Sequence, residues 1–336
     1  MHTKRKILAY LSRRKSAGGG ALRSHLGISR QALSVHIRSL VAAGKVVRFG
    51  TAKSARYALP SRAPAPAVVS RALRTRGLDE ARVWDGLAAT LNLRRALRPN
   101  VEAIVHYALT EMLNNVIEHS EADRCTARIR LGPGALSFEV RDPGIGVFHS
   151  IASKLRFEDE ERAMVELLKG RTTTLREAHT GEGIFFTSRV ADRFALRSHR
   201  IEVEWSRIKD DVFVSKRRFL AGTEVRFDIQ RSSRRRLEDV FAEFAPEEYD
   251  FQFRKTKVLV KLLRRDYVSR SEAKRLLANL EKFSEIVLDF RDVKSVGQGF
   301  ADEVFRIFAR GHPAITISSE NANPVIQAMI RHVALP

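Results

Sequence analysis

The tightest constraint in this sequence is a helix that carries polar groups where it needs hydrocarbon. Read at 100° per residue, Val101, Ile104, Val105, Ala108, Leu109, Met112 and Val116 align as one apolar stripe. Glu111 sits at the edge of that stripe, and Asn115 and His119 fall within it. Their i, i+4, i+8 spacing stacks a carboxylate, an amide and an imidazole on one face. Burying such groups without partners costs about 1–3 kcal/mol each. The pattern therefore predicts either a satisfied structural cluster or a helix that floors a polar pocket.

Two glycine motifs follow at a spacing that favours the pocket. "RDPGIGVF" (141–148) comes after a predicted strand, "ALSFEV", and "HTGEGIFFTSRVADRF" (179–194) runs from a glycine loop into a helix. "GTEVRFDI" (222–229) reads as a Gly-Thr turn into a strand. Each alone is weak; their order behind an E-x-x-x-N helix is far more specific.

Together these motifs resemble the ATP-binding fold shared by gyrase, the heat-shock chaperone, histidine kinases and a mismatch-repair protein, the GHKL superfamily. The likeness covers residues 79–230 and is strongest to the anti-sigma-factor kinases, which have a similar E-x-x-x-N-x-x-x-H helix. The chemistry can also be stated from the residues. The Asn115 carbonyl is a hard-oxygen ligand for the Mg2+ of Mg-ATP, and Glu111, one turn earlier, can take a proton from an attacking nucleophile. His119, one turn later, can contact phosphate or orient its neighbours. Asp142 can accept from the exocyclic amine of adenine, where guanine would present a carbonyl. Gly144 and Gly146 allow a tight backbone turn beside the base. Gly181 and Gly183 bring backbone N–H groups to phosphate at a helix start. The resemblance implies that Thr223 helps to hold adenine. It also implies that the interval Phe148–Thr180 is an ATP lid, here long, highly charged and expected to hold a helix of its own. No phosphoacceptor helix precedes the domain, and His106 lies within the nucleotide-domain helix, so autophosphorylation on histidine is not expected.

Charge separates this region from what precedes it. Of the net +21, residues 1–78 contribute 17 Lys or Arg and no acid; the first acid is Asp79. That asymmetry points to a polyanionic partner. The segment reads as a helix (Lys4–Lys15) broken by Gly18-Gly19-Gly20, a short helix (Ala21–Leu26), and a third helix capped by Ser29 that ends at Gly44. "KVVRFGTAKSARYAL" follows as a hairpin. The order resembles a winged helix-turn-helix. It implies that Arg30, Gln31, Ser34 and Arg38 on the third helix read duplex DNA, with Arg48, Lys53 and Arg56 on the wing. A homodimer on an inverted repeat is the expected mode, and "PSRAPAPAVVSR" reads as the way out of this domain.

After a connecting helix at 231–248, the pattern alternates strand and helix to the end of the chain. "SRSEAKRLLANLEKF" carries a capping box, Ser269 to Glu272. "IVLDFRDVKSVGQGFADEVFRIF" resembles the STAS domains of anti-sigma antagonists. Where relatives present a phosphorylatable serine, this loop reads Gly297-Gln298-Gly299, with Ser295 out of register, which implies an interaction module for a partner protein. The Lys/Arg clusters 213–218 and 231–236 read as solvated surface.

The expected architecture is thus an α+β/α-β multidomain chain. It comprises a winged helix-turn-helix (1–60), a linker (61–78), a GHKL α/β sandwich or Bergerat fold (79–230), a connecting helix (231–248) and a STAS-like α/β domain (249–336). No apolar run approaches 18 residues and Cys125 is the only cysteine, so a membrane span, a disulfide within the chain and a thiolate zinc site are not expected, and cytoplasmic is the default location. The expected function is an ATP-switched DNA-binding transcriptional regulator. The alternatives are a switch kinase or ATPase acting on another protein, and a DNA-processing ATPase, for which no nuclease or cleavage module is recognisable.

Overall fold

In the acid-free start, apolar residues recur every three or four positions, and the chain answers with three helices around a small core. α1 (His2–Ser12), β1 (Ala17–Gly18), α2 (Gly19–Leu26), α3 (Arg30–Ala42), β2 (Val47–Phe49) and β3 (Arg56–Ala58) form this N-terminal unit. The computed structural model describes residues 2–49, 55–170, 182–245, 254–262, 266–267 and 269–334. Gly27 ends α2 in the left-handed region (φ 64°), and Ser29 caps α3 by accepting from the Ala32 N–H at 3.1 Å. The strands pair antiparallel in the order β1-β3-β2. The Gly18-Gly19-Gly20 run, expected as a plain break, does two jobs: Gly18 pairs with Arg56, and Gly19 opens α2.

Residues 67–74, expected within a linker, form β4 (Ala67–Arg74). Its Ala, Val and Ser side chains look like linker composition; what makes it a strand is an eight-residue antiparallel register with β5 (Arg124–Leu131), a long-range pairing. Between them come α4 (Glu80–Leu91), α5 (Leu93–Ala96) and α6 (Pro99–His119). After β5 come β6 (Ala135–Asp142), α7 (Val147–Leu155), α8 (Glu160–Leu168), α9 (Gly183–Val190), β7 (Arg193–Ser206) and β8 (Asp211–Gln230). The five strands form one antiparallel sheet in the order β4-β5-β6-β8-β7. Alternation gives it one apolar face, where Cys125, Ala127, Ile129, Phe138, Val140 and Phe227 are buried with the apolar stripe of α6. The interval Phe148–Thr180 holds α8 and nearly all of α7; residues 171–180 of it lie outside the described residues. Gly222, expected in a turn, lies inside β8 with φ 76°, opposite a register irregularity in β7 at Ser198–Ile201.

The chain then runs through α10 (Leu237–Phe244), β9 (Lys255–Leu259), β10 (Asp266–Tyr267), α11 (Arg270–Leu277), β11 (Glu285–Asp289) and β12 (Ser295–Val296). α12 (Gln298–Asp302) continues through a π-helical stretch, Glu303–Phe308, into α13 (Ala309–Gly311), followed by β13 (Thr316–Glu320) and α14 (Pro324–Ala334). β13, β11 and β9 form a parallel sheet, and the Ser269–Glu272 capping box is made in full.

This C-terminal region is not a separate bead. One continuous apolar core runs from α6 and the five-stranded sheet through Val240 and Phe244 into Leu276, Leu288 and Phe300. A buried ion pair, Lys169 with Glu166 at 3.2 Å, sits at the join. Lys169 Nζ donates to the carbonyls of Arg275 (3.2 Å) and Ala278 (2.7 Å), and Thr256 donates to the Lys169 carbonyl (2.6 Å). Two arginines read as solvated surface are staples instead. Arg231 donates to the carbonyls of Ala96 and Gly132, and Arg235 to those of Arg189 and Ala191.

Candidate nucleotide site

The apolar stripe buries α6 against the sheet, and its polar triplet ends up in a cleft. Val101, Ile104, Val105, Ala108, Leu109, Met112 and Val116 are all buried as the spacing required, and Leu113 joins them. Glu111, Asn115 and His119 line the cleft together with Asp142, Gly183 and Thr223. The helix supplies the first three, and Asp142, Gly183 and Thr223 are each placed by a different structural device.

Asp142 closes β6, directly opposite Thr223 of β8. Its carboxylate is buried and accepts from the Gly144 N–H at 2.9 Å. Burial pushes its pKa above the usual carboxylate range, opposed by the backbone N–H groups of Gly144 and Thr223. Gly144 is required by close approach: a Cβ there would lie 1.9 Å from the Ser120 carbonyl oxygen, at the end of α6. The next residue ties the same carbonyl, the Ile145 N–H donating at 2.8 Å. Gly146 turns the chain with φ 83° into α7, and Thr223 Oγ1 accepts from the Val147 N–H at 3.0 Å. The first glycine motif is thus pinned to both α6 and β8.

The second motif meets the helix at Glu111. A Cβ on Gly183, the first residue of α9, would lie 2.1 Å from Glu111 Oε2. Glycine here lets a carboxylate rest against a helix start. Gly181 lies outside the described residues. Tyr107, one turn before Glu111, has its phenol pKa pushed far up, by burial first and then by the carboxylates of Glu111 and Glu182. Glu111 and Glu182, which both line the cleft, thus share their surroundings with a buried phenol.

His119, one turn beyond Asn115, stands 3.7 Å from Glu118 Oε2. Asn115 Nδ2 is buried with no hydrogen-bond partner among the described residues, and so is Ser150 Oγ of α7 in the same cleft. Buried polar atoms are nearly always satisfied. Two orphans in one polar cleft fit a ligand rich in acceptors and donors. Ser150 was not singled out from the sequence, where nothing distinguishes it from a surface serine of a helix. Among the described residues no group of three or more His, Cys, Asp or Glu could hold a metal ion, so a cation here would rest on Asn115 and on the ligand's own oxygens.

The candidate DNA contacts form a second, distant group. Arg30, Gln31, Ser34 and Arg38 are all exposed on α3. Arg48 is half-buried, with Nε out of solvent and without a hydrogen-bond partner among the described residues, where β2 packs on the turn between β5 and β6; a Cβ on Gly134 would lie 2.8 Å from the Arg48 carbonyl oxygen. Arg56 is exposed but donates to Ser16 Oγ at 2.8 Å, tying β3 to the start of β1. Lys53 lies outside the described residues. In the C-terminal region, Gly297 caps α12 and Ser295 sits in β12, paired with Asp266.

No described helix is long and apolar enough to cross a membrane. Comparison with curated proteins finds no match. Residues 58–204 match the family model of the histidine kinase-like ATPase domain, and residues 272–327 that of a STAS-like domain of unknown function, DUF4325. The first match begins before β4, in keeping with that strand's place in the sheet. A domain of the first type implies ATP as its ligand, so the chain joins a histidine kinase-like ATPase domain to a STAS-like domain in an ATP-dependent regulatory protein.

Proposed function

We propose that this protein is a transcriptional regulator in which Mg-ATP, bound on α6, controls how an N-terminal winged helix-turn-helix grips duplex DNA. The observation that carries the DNA half is the exposed face of α3, with Arg30, Gln31, Ser34 and Arg38, in a segment of 78 residues without one acid. A Gln or Arg on such a face can pair bidentately with a base edge. The helix order and small antiparallel sheet support the winged-helix reading. The protein is expected to act as a homodimer, with the STAS-like domain docking a partner protein.

In the cleft, Asp142 selects adenine by accepting from its amine, and Thr223 fixes the motif that frames the base. Mg2+, when bound, neutralises phosphate charge and polarises the bond to be broken. Asn115 supplies a carbonyl to the cation. Glu111, against the start of α9, accepts the proton of the attacking nucleophile. His119 contacts phosphate or orients Asn115.

The placement of Glu111 also favours a second reading, in which turnover on a partner protein is the function and DNA contact is tethering. One pair of variants separates the two. Glu111→Ala should retain Mg-ATP and accumulate the ATP state; Asn115→Ala should lose the cation and most of the affinity. A ligand shifts a conformational equilibrium only through unequal affinity for the two states. For a regulator, DNA affinity or assembly should move in opposite directions from wild type in the two variants. Equal DNA affinity and assembly in both, with and without ATP, would overturn the switch and leave the partner-directed enzyme.

A further inference from the structure

The outer face of the five-stranded sheet is divided by charge. On the β7–β8 side three arginines have an acid, Arg193 with Glu204 at 2.6 Å, Arg217 with Glu202 at 2.7 Å, and Arg226 with Glu224, and Arg197 donates to the Arg218 carbonyl at 2.8 Å. On the β4–β5–β6 side Arg74, Arg124, Arg128, Arg130 and Arg141 point outward and are exposed. None of these five forms an ion pair or side-chain hydrogen bond among the described residues. The strand register places Arg74 directly opposite Arg124. Like charges at a directly opposed pair work against the sheet; Arg128 instead faces Glu139 of β6, whose carboxylate Arg226 approaches at 3.8 Å.

Resting on the reading that the N-terminal unit holds duplex DNA, we propose that this half-face is a second nucleic-acid surface, one that carries the phosphate backbone flanking the site read by α3. Three observations converge. The face is a row of guanidinium groups that form no ion pair among the described residues, the side chain best suited to phosphate. Its Arg130 end adjoins the β5–β6 turn, where Gly134 abuts Arg48 of the N-terminal unit. From Arg130 to Arg124 the row extends six residues along a strand, about 20 Å, or about six base pairs of duplex at 3.4 Å rise. A rigid, linear polyanion leaving the N-terminal unit fits that geometry.

The test uses the full chain and a duplex selected by the wild type from a random pool. Each phosphate neutralised contributes about 0.9 to the slope of log K against log salt. Replacing Arg124, Arg128 and Arg130 together by Gln should lower that slope by about 2–3 and weaken every sequence alike, with the preferred site and ATP affinity unchanged. The triple Lys variant should keep the slope, because a point charge suffices, and serves as the control for folding. An unchanged slope with DNA binding intact would overturn this surface and leave the proposed function standing. A wild type that binds no duplex at any salt would overturn both. An unchanged slope accompanied by loss of binding to polyglutamate would assign the face to an acidic protein, and the proposal would fail.

Discussion

The N-terminal unit and the remainder of the molecule are built on opposite principles. The first closes on its own small core, Ile7, Leu11, Ala17, Leu22, Leu33, Ile37, Leu40 and Val46, and carries basic residues without acids. The second merges two recognisable families into one core, with ion pairs across the join such as Lys261 with Asp211 at 2.7 Å. Family boundaries at 204 and 272 do not mark physical boundaries, whereas the change of charge near residue 79 comes close to one. Cores report what must unfold together; sequence families report what was combined.

The sharpest way to test this division is chemical. Glu111→Ala should slow ATP turnover by about 10²–10⁴-fold, with Mg-ATP affinity by calorimetry and melting of the N-terminal unit unchanged. Loss of affinity along with turnover would make Glu111 a ligand instead of a base.

Core truncation tests the division itself. Phe290→Ala, in the STAS-like part, should cost about 3–5 kcal/mol and lower the melting of the ATP cleft with it, while Ile37→Ala, at about 2–5 kcal/mol, should lower only the N-terminal transition. Scanning calorimetry with and without ATP distinguishes the transitions. A Phe290→Ala protein whose ATP-shifted transition stays put would show two bodies where the structure shows one. Lys169→Met strikes the join directly. It removes the closer cation from buried Glu166, leaving Lys282 at 3.7 Å, and should destabilise the same transition by about 3 kcal/mol.

Smaller effects belong to Asp142. Asp142→Asn should weaken adenine nucleotides by about 10–100-fold, the worth of one hydrogen bond to a charged group, and leave GTP unimproved. Its pH signature follows from a pKa raised by burial. That contribution to stability is present in full below the ordinary carboxylate value and is lost as pH rises through the raised one. The melting temperature of Asp142→Asn should therefore gain on wild type as pH rises across that interval. A constant difference across pH would show that the carboxylate is already ionised there.

The cleft was legible in the sequence because its parts are local: a helix with polar residues at i, i+4 and i+8, and glycines where backbone meets backbone or carboxylate. What escaped is made by distant pairing. β4 is a strand only through β5, Lys169 is buried only because α11 offers it two carbonyls, and Arg231 and Arg235 staple carbonyls up to 135 residues away. Composition reads a charged run as solvated, and it was wrong wherever a carbonyl was waiting.

The connection between Arg62 and β4 has one further consequence. After β3 a short 3-10 turn, Pro60–Arg62, leaves only Ala63, Pro64, Ala65 and Pro66 before the sheet edge. Four residues in an extended, proline-stiffened path reach about 12 Å. The second attachment is the Arg48 backbone against Gly134 at the β5–β6 turn. Both attachments lie at one end of the sheet, since Ala67 of β4 pairs with Leu131 beside that turn. A Cβ at Gly134 would therefore press the N-terminal unit away from the sheet at the very place where the chain joins them.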